Sequence, residues 1–84
     1  MIYTVLWLPA AEQQLAALWT VSARRAEVTR AAAALNRRLA ANAPDEGESR
    51  TENRRIAVEL PLAVLFEFSQ TGRTVAVGRV WEVR

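Results

Sequence analysis

The 84-residue chain is half apolar and a quarter charged, so it is expected to form one small domain, residues 1–84, without the run of about 20 apolar residues that a transmembrane helix needs. The absence of cysteine excludes disulfides, and the absence of histidine excludes Ser-His and Cys-His nucleophile pairs and most zinc sites. All eleven basic residues are arginine, and with nine acidic residues they give a net charge of +2. Arginine binds phosphate bidentately, but it is a poor proton donor because its pKa is very high.

The first predicted element is a strand at residues 2–8. Alternation places Leu6 and Leu8 on one face and Val5 and Trp7 on the other. Because both faces are apolar, we expect the strand to lie inside the sheet rather than at its edge. The stretch is short and lacks the basic flank of a signal peptide, so a cytoplasmic location is expected.

Two helices are predicted next, at residues 10–21 and 23–41. Pro9 suits the first turn of a helix, because the missing N–H is not needed there. Ser22 is a candidate N-cap of the second helix. Trp19 is expected to be a core or helix–helix contact rather than part of a ligand site.

The second helix combines an apolar stripe with a basic surface. The stripe follows helical spacing and is expected to pack against another element. Arg30 and Arg37 point away from it, whereas other arginines lie nearer its edges, from which they can reach a neighbouring element. The stripe consists of Val28, Ala31, Ala32, Leu35 and Leu39, and the edge arginines are Arg24, Arg25 and Arg38.

A loop at residues 43–53 and three strands complete the chain. Pro44 and Gly47 break regular structure, and four acids keep the loop solvated. The strands, at 56–60, 62–68 and 74–83, are separated by turn residues, which is typical of a meander of hairpins. Gly78 is a candidate bulge that would reset the faces of the last strand, so the side taken by Arg79 stays open.

The charges are unevenly distributed. Residues 22–42 carry five arginines against one glutamate, residues 43–53 four acids against one arginine, and residues 54–84 five arginines against three glutamates. Such patches are as typical of a solvated face as of a site for a polyanion. In the first interpretation, Arg54 and Arg55 pair with the acidic loop.

Five different short motifs follow one another along the chain in a specific order. They are Tyr3-x-Val5-x-Trp7-x-Pro9-x-Ala11 at the first strand and helix, Leu15 and Leu18-Trp19 in that helix, Pro44-x-x-Gly47 in the loop, Arg54-Arg55-Ile56 at the next strand, and Pro61-Leu62-x-Val64-x-Phe66-x-Phe68 in the central hairpin. Together they resemble the RelE/ParE toxin superfamily, and most of all its short ParE/plasmid-stabilisation branch. The resemblance implies an α+β fold, β-α-α-β-β-β, in which a helical hairpin packs on a mainly antiparallel four-stranded sheet.

The resemblance also implies a function. Members are bacterial toxins of type II toxin–antitoxin systems and are held inactive by a cognate antitoxin. The resemblance implies no cofactor, no metal site and no membrane partner. RelE-like members are endoribonucleases that cleave mRNA on the ribosome, and ParE-like members inhibit DNA gyrase. Without its antitoxin, such a chain is expected to expose a sheet face through which a homodimer can form.

For an endoribonuclease, the resemblance assigns the catalytic grip on the phosphate to Arg54 and Arg55 in the second strand and to Arg79 in the last. Trp81 would stack on a base, and Arg84 would add to nucleic-acid binding. A general base is not singled out; the candidates are Glu48, Glu52 and Glu59.

Departures from the ribonuclease pattern favour an alternative. Leu62-Ala63 replaces an arginine that many of these ribonucleases carry, and Trp81 or Val83 replaces a histidine or tyrosine. The alternative is a non-enzymatic ParE-like gyrase inhibitor or a degenerate toxin fold that acts as a protein-interaction module. Nucleic-acid binding by the second helix is disfavoured, because its arginines cluster at the two ends with alanine between them.

Overall fold

The computed structural model describes residues 2–49 and 53–83. In chain order the elements are β1 (Thr4–Trp7), α1 (Pro9–Val21), α2 (Arg25–Asn42), a 3-10 turn (Ala43–Asp45), β2 (Glu48–Ser49), β3 (Arg54–Glu59), β4 (Leu62–Ser69) and β5 (Thr74–Glu82). The five strands form one sheet in the order β1-β5-β4-β3-β2; β1 and β5 are parallel, and the other described pairs are antiparallel. The expected α+β architecture, with a helical hairpin on a mainly antiparallel sheet, is confirmed.

The sheet has one strand more than the four expected. The additional strand, β2, lies within the predicted loop, where Glu48 pairs with Ile56 and Ser49 with Arg55. Gly47 precedes it with a φ of +71°. The prediction was wrong because a two-residue strand is too short to show an alternating pattern.

Strand β1 lies at the edge of the sheet, which corrects the expectation that it lies inside. Val5 and Trp7 pack against the core, but Leu6 on the other face is 59% exposed. Both faces of β1 are apolar because the sheet surface away from the helices is itself apolar. Tyr3 N–H donates to the carbonyl of Ala40 in α2, 2.6 Å away, and ties the start of this edge to the helices.

The helices follow the sequence prediction closely. Helix α1 begins at Pro9 as expected, whereas α2 begins at Arg25, and Ser22 is not its N-cap. Ser22 instead ends α1 in an extended conformation, and its Oγ accepts a hydrogen bond from Arg24 N–H at 2.9 Å. The predicted stripe of α2 is confirmed, since Val28, Ala31, Leu35 and Leu39 are fully buried.

The bulge predicted at Gly78 is confirmed. Leu65 pairs with Arg79 and Phe66 with Val77, so Gly78 is the extra residue of β5. The bulge resets the alternation: Val77 before it and Val80 after it both join the core. Arg79 therefore lies on the face that points away from the helices.

The sheet consequently has two different faces. The helix face packs against α1 and α2 through a core that includes Val64, Phe66 and Leu35. We call the other side the open face, because neither helix packs on it. By strand register its large apolar residues are Leu6, Ile56, Val58, Leu65 and Trp81, and its charged residues are Glu48, Arg54, Glu67 and Arg79.

Neither described helix combines the length and the apolar character that crossing a membrane would require. The surface formed by the described residues nonetheless includes apolar side chains. Several large apolar side chains are exposed on both sides of the molecule, including Val21 at 80% and Val58 at 48%.

Candidate functional site

Arg55 lies on the helix face of β3, in register with Phe66. Its Nε donates to the carbonyl of Glu46 at 2.6 Å and its Nη2 to the carbonyl of Gly47 at 2.7 Å. The expected pairing with the acidic loop therefore occurs, but through backbone oxygens rather than through carboxylates. Arg55 holds the segment that leads into β2.

Arg54 lies on the open face, directly opposite Glu67 on β4. Its Nε is 3.0 Å from Glu67 Oε2, and both side chains are more than half exposed. An ion pair this exposed contributes at most about 1 kcal/mol to stability. Its main effect is to neutralise the positive charge of Arg54 at the surface.

Arg79 lies on the open face beside Leu65 and has no hydrogen-bond or ion-pair partner among residues 2–49 and 53–83. Arg79 and Arg54 lie two strand spacings apart across the sheet and two residues apart along the strands, which separates their backbones by about 12 Å. A cleft of about 220 Å³ lies on this side of the sheet, and its lining includes Arg54, Leu65 and Glu67. The structure thus brings Arg54 and Arg79 to one face and Arg55 to the other.

The remaining predicted site residues are dispersed. Trp81 shares the open face and is 37% exposed. Glu48 also lies on the open face, whereas Glu59 lies on the helix face, where it pairs with Arg38. Arg84 and Glu52 lie outside the described residues. In the part of the chain that the structure describes, no three acidic side chains cluster as a metal site.

Arg38 on α2 forms the densest polar network of the described residues. Its guanidinium contacts Glu46 Oε1 at 2.7 Å, Glu59 Oε1 at 3.1 Å and the carbonyl of Val58 at 2.8 Å. Burial lowers the pKa of Arg38, but hydrogen bonds and charge from Glu46 and Glu59 outweigh this and leave its pKa raised. The position of Arg38 at the edge of the apolar stripe predicted that it could reach a neighbouring element. Its partners could be identified only from the folded structure.

The two arginine networks predict different losses of stability. Arg38→Ala leaves two carboxylates and one carbonyl without their partner and, at one-third exposure, should lower the free energy of unfolding by about 1–2 kcal/mol. Arg54→Ala removes an exposed pair and should cost less than about 0.5 kcal/mol. Urea denaturation of both variants measures the difference, and equal losses would contradict the structural role of Arg38.

A second surface lies on the opposite side of the molecule, between α1 and α2. We call it the helical groove; its volume is about 590 Å³ and its lining is largely apolar. The indole N–H of Trp19 donates to Thr29 Oγ1 across the two helices at 3.1 Å, which confirms Trp19 as a helix–helix contact. The groove is lined by Trp7, Glu12, Leu15, Ala16, Trp19, Thr20, Val28, Thr29 and Ala32.

The two ends of the helical groove carry opposite charges. Glu12 is in the first turn of α1, and its carboxylate has no ion-pair partner in the described parts of the chain. At the other end, the Arg25 guanidinium lies 5.0 Å from the centre of the Trp19 ring and donates to the carbonyls of Trp19 and Thr20. The groove therefore presents an apolar floor between an acidic and a basic end.

No protein-family model matches the chain. No curated protein matches it either. Among solved structures, it is similar to a chain of the RelBE2 toxin–antitoxin complex from Mycobacterium tuberculosis, with a TM-score of 0.77 and 19% identity over 98% of this chain and 92% of that chain. It is also similar to a chain of the chromosomal ParDE toxin–antitoxin system from P. aeruginosa, with a TM-score of 0.72 and 17% identity over 99% and 98%. At these identities the similarity is one of fold, and it confirms the expected RelE/ParE-like toxin fold.

Proposed function

We propose that this chain is the toxin component of a type II toxin–antitoxin pair in the bacterial cytoplasm, and that it acts by binding a protein rather than by cleaving RNA. The shared fold of the RelBE2 and ParDE chains supports the toxin role. One observation supports the mode of action: the arginines expected to grip a phosphate do not converge. Arg55 holds backbone carbonyls on the helix face, and Arg54 is neutralised by Glu67 on the open face.

The balance of charge on the open face also favours a protein target. The strands present two arginines and two glutamates there, which gives the described face no net charge. Binding to RNA depends on excess positive charge that displaces counterions from the phosphates. A neutral face with exposed large apolar side chains fits a protein surface instead. By resemblance to ParE-like toxins, DNA gyrase is the expected target.

The helical groove is the proposed site of the cognate antitoxin. An amphipathic helix can lay its apolar face into a groove of this kind, with anchors one and two turns apart. The charges at the ends set its polarity: a basic residue of the antitoxin should lie near Glu12 and an acidic one near Arg25. Glu12 and Trp19 are seven residues apart on α1, so these two antitoxin residues should lie about 10 Å apart.

Ribosome-dependent mRNA cleavage is the alternative function. It is favoured by the placement of Arg54 and Arg79 on one face, with Trp81 available to stack on a base. In this case Arg79 has no competing partner among residues 2–49 and 53–83, whereas Arg54 must leave Glu67 to reach a phosphate.

Expression of the chain alone tests the two modes of action. We expect growth arrest with filamentation and a DNA-damage response, and mRNA 5′ ends that do not change on induction. Arg79→Gln changes one charge on the face proposed to bind the protein target, so the arrest should persist with a loss of potency below about tenfold, whereas an endoribonuclease would lose the residue that contacts its phosphate. Cuts within translated codons that disappear in this variant would establish the endoribonuclease, and normal growth would contradict the toxin role itself.

A further inference from the structure

We propose that, in the absence of a partner, two copies of this chain associate through the open faces of their sheets. The inference goes beyond the proposed function and does not depend on it, because it concerns the free chain and its own surface. It rests on three properties of the open face: its apolar character, its size and the arrangement of its charges.

The open face is apolar but uncovered. Of its residues, Leu6 is 59% exposed, Val58 48% and Trp81 37%. Both helices pack on the other side of the sheet, so no described helix shields these side chains from water. Monomeric proteins rarely leave a contiguous apolar patch of more than a few hundred Å² in contact with water.

The size of the face is that of a dimer interface. Five strands spaced about 4.8 Å apart give a width of about 20 Å, and the long strands, at about 3.3 Å per residue, give a length of 20–30 Å. The flat area is thus about 500 Å², and side chains that stand off the sheet increase the accessible area. A standard interface buries about 800 Å² on each partner, so this face supplies most of what a dimer needs.

The charges on the open face are arranged for a second copy. Arg79 pairs with Leu65, Leu65 with Ile56, and Ile56 with Glu48, so Arg79 and Glu48 lie at the same level of the sheet. Neither side chain has an ion-pair partner among the described residues. They carry opposite charges on opposite sides of β4, the central strand of the five.

A twofold axis parallel to β4 and between the two sheets brings these charges together. Such an axis places β5 of one copy over β3 of the other at the same level, so Arg79 lies over Ile56 of the second copy and next to its Glu48. Twofold symmetry makes each contact twice. The dimer therefore covers the apolar face and pairs both free charges, whereas a polyanion would meet a face with no net charge.

The first test is the oligomeric state of the isolated chain by analytical ultracentrifugation. We expect a dimer for the natural chain and a dissociation constant raised tenfold or more for Val58→Glu, which introduces a carboxylate into the apolar interface. Val21→Glu is the matched control: this valine is equally apolar and 80% exposed, but lies at the end of α1 away from the open face, and the dimer should persist. A monomeric natural chain would overturn the proposal.

A charge exchange tests the predicted axis independently of Val58. Arg79→Glu and Glu48→Arg should each weaken the dimer, because each variant places two like charges against each other. An equimolar mixture of the two single variants should restore association, since both contacts of the mixed dimer then join opposite charges. If the mixture stays monomeric while each variant is folded, the inferred pairing of the open faces is wrong; neither result bears on the toxin role.

Discussion

Gly47→Ala is expected to cause a large loss of stability, although Gly47 is exposed at the surface. A Cβ built on Gly47 overlaps the carbonyl oxygen of Ile56 and lies 2.9 Å from the Cα of Ala57. Both obstacles are backbone atoms of β3, which cannot move aside as a flexible side chain can. The φ of +71° adds strain for a residue other than glycine.

The effect should spread beyond the turn itself. Gly47 leads into the β2–β3 pairing, and Arg55 binds the carbonyls of Glu46 and Gly47. We therefore expect the free energy of unfolding to fall by about 3 kcal/mol or more, which is a large part of the stability of a small domain. Urea denaturation followed by circular dichroism measures the loss.

Gly72→Ala provides the control for the loss of glycine. A Cβ at Gly72 would lie no closer than 3.5 Å to Ser69 Oγ, which is ordinary contact distance. The change should alter the free energy of unfolding by no more than about 0.5 kcal/mol. If Gly47→Ala proves equally mild, β3 is not held against Gly47 as the structure describes.

Most of the fold could be predicted from local patterns in the sequence. The helical spacing of Val28, Ala31, Leu35 and Leu39 predicted the buried stripe of α2, and Gly78 predicted the bulge, because both signals depend only on neighbours in the chain. The edge position of β1 could not be predicted in this way. Its partner β5 is at the other end of the chain, and apolar residues on both of its faces are equally compatible with an edge beside an uncovered apolar face.

The arginine site was less predictable, although part of the information was present. Adjacent residues in a strand point to opposite faces, so Arg54 and Arg55 could not both face one phosphate from the same strand. The side taken by Arg79 depended on whether Gly78 shifts the register, which only the β4–β5 pairing decides. The use of Arg55 as a ligand for backbone carbonyls depended on the turn at Gly47, which brings those oxygens to β3.

The two candidate surfaces lie on opposite sides of the molecule, and this has a consequence for regulation. A partner in the helical groove leaves the open face accessible, so the proposed antitoxin helix would inhibit this chain only by extending to the open face or by acting on a dimer. A complex of two copies of this chain and two copies of the proposed antitoxin is compatible with both surfaces at once. The occupancy of the groove can accordingly be tested without disturbing the open face.

Ala16→Arg should block the helical groove and abolish binding of the proposed antitoxin. Ala16 lines the groove from the exposed side of α1, and arginine is a good helix former, so the helix itself should be unaffected. The new arginine lies four residues after Glu12, a spacing that favours an ion pair between the two side chains. This ion pair would hold the guanidinium across the groove and neutralise the acidic end of the groove. Affinity for the antitoxin should fall about 100-fold or more, equivalent to about 2.7 kcal/mol.

The matched control is Ala17→Arg, at the next residue of α1, which is also exposed but does not line the groove. Isothermal titration with the protein encoded beside this chain's gene should give natural affinity for this variant and strongly reduced affinity for Ala16→Arg. Because both variants add one arginine to the same helix, a difference between them reports occupancy of the groove rather than a change in net charge. Equal affinities of the two variants would show that the antitoxin does not bind in the helical groove. The open face, the other of the two surfaces, would then be the candidate binding site.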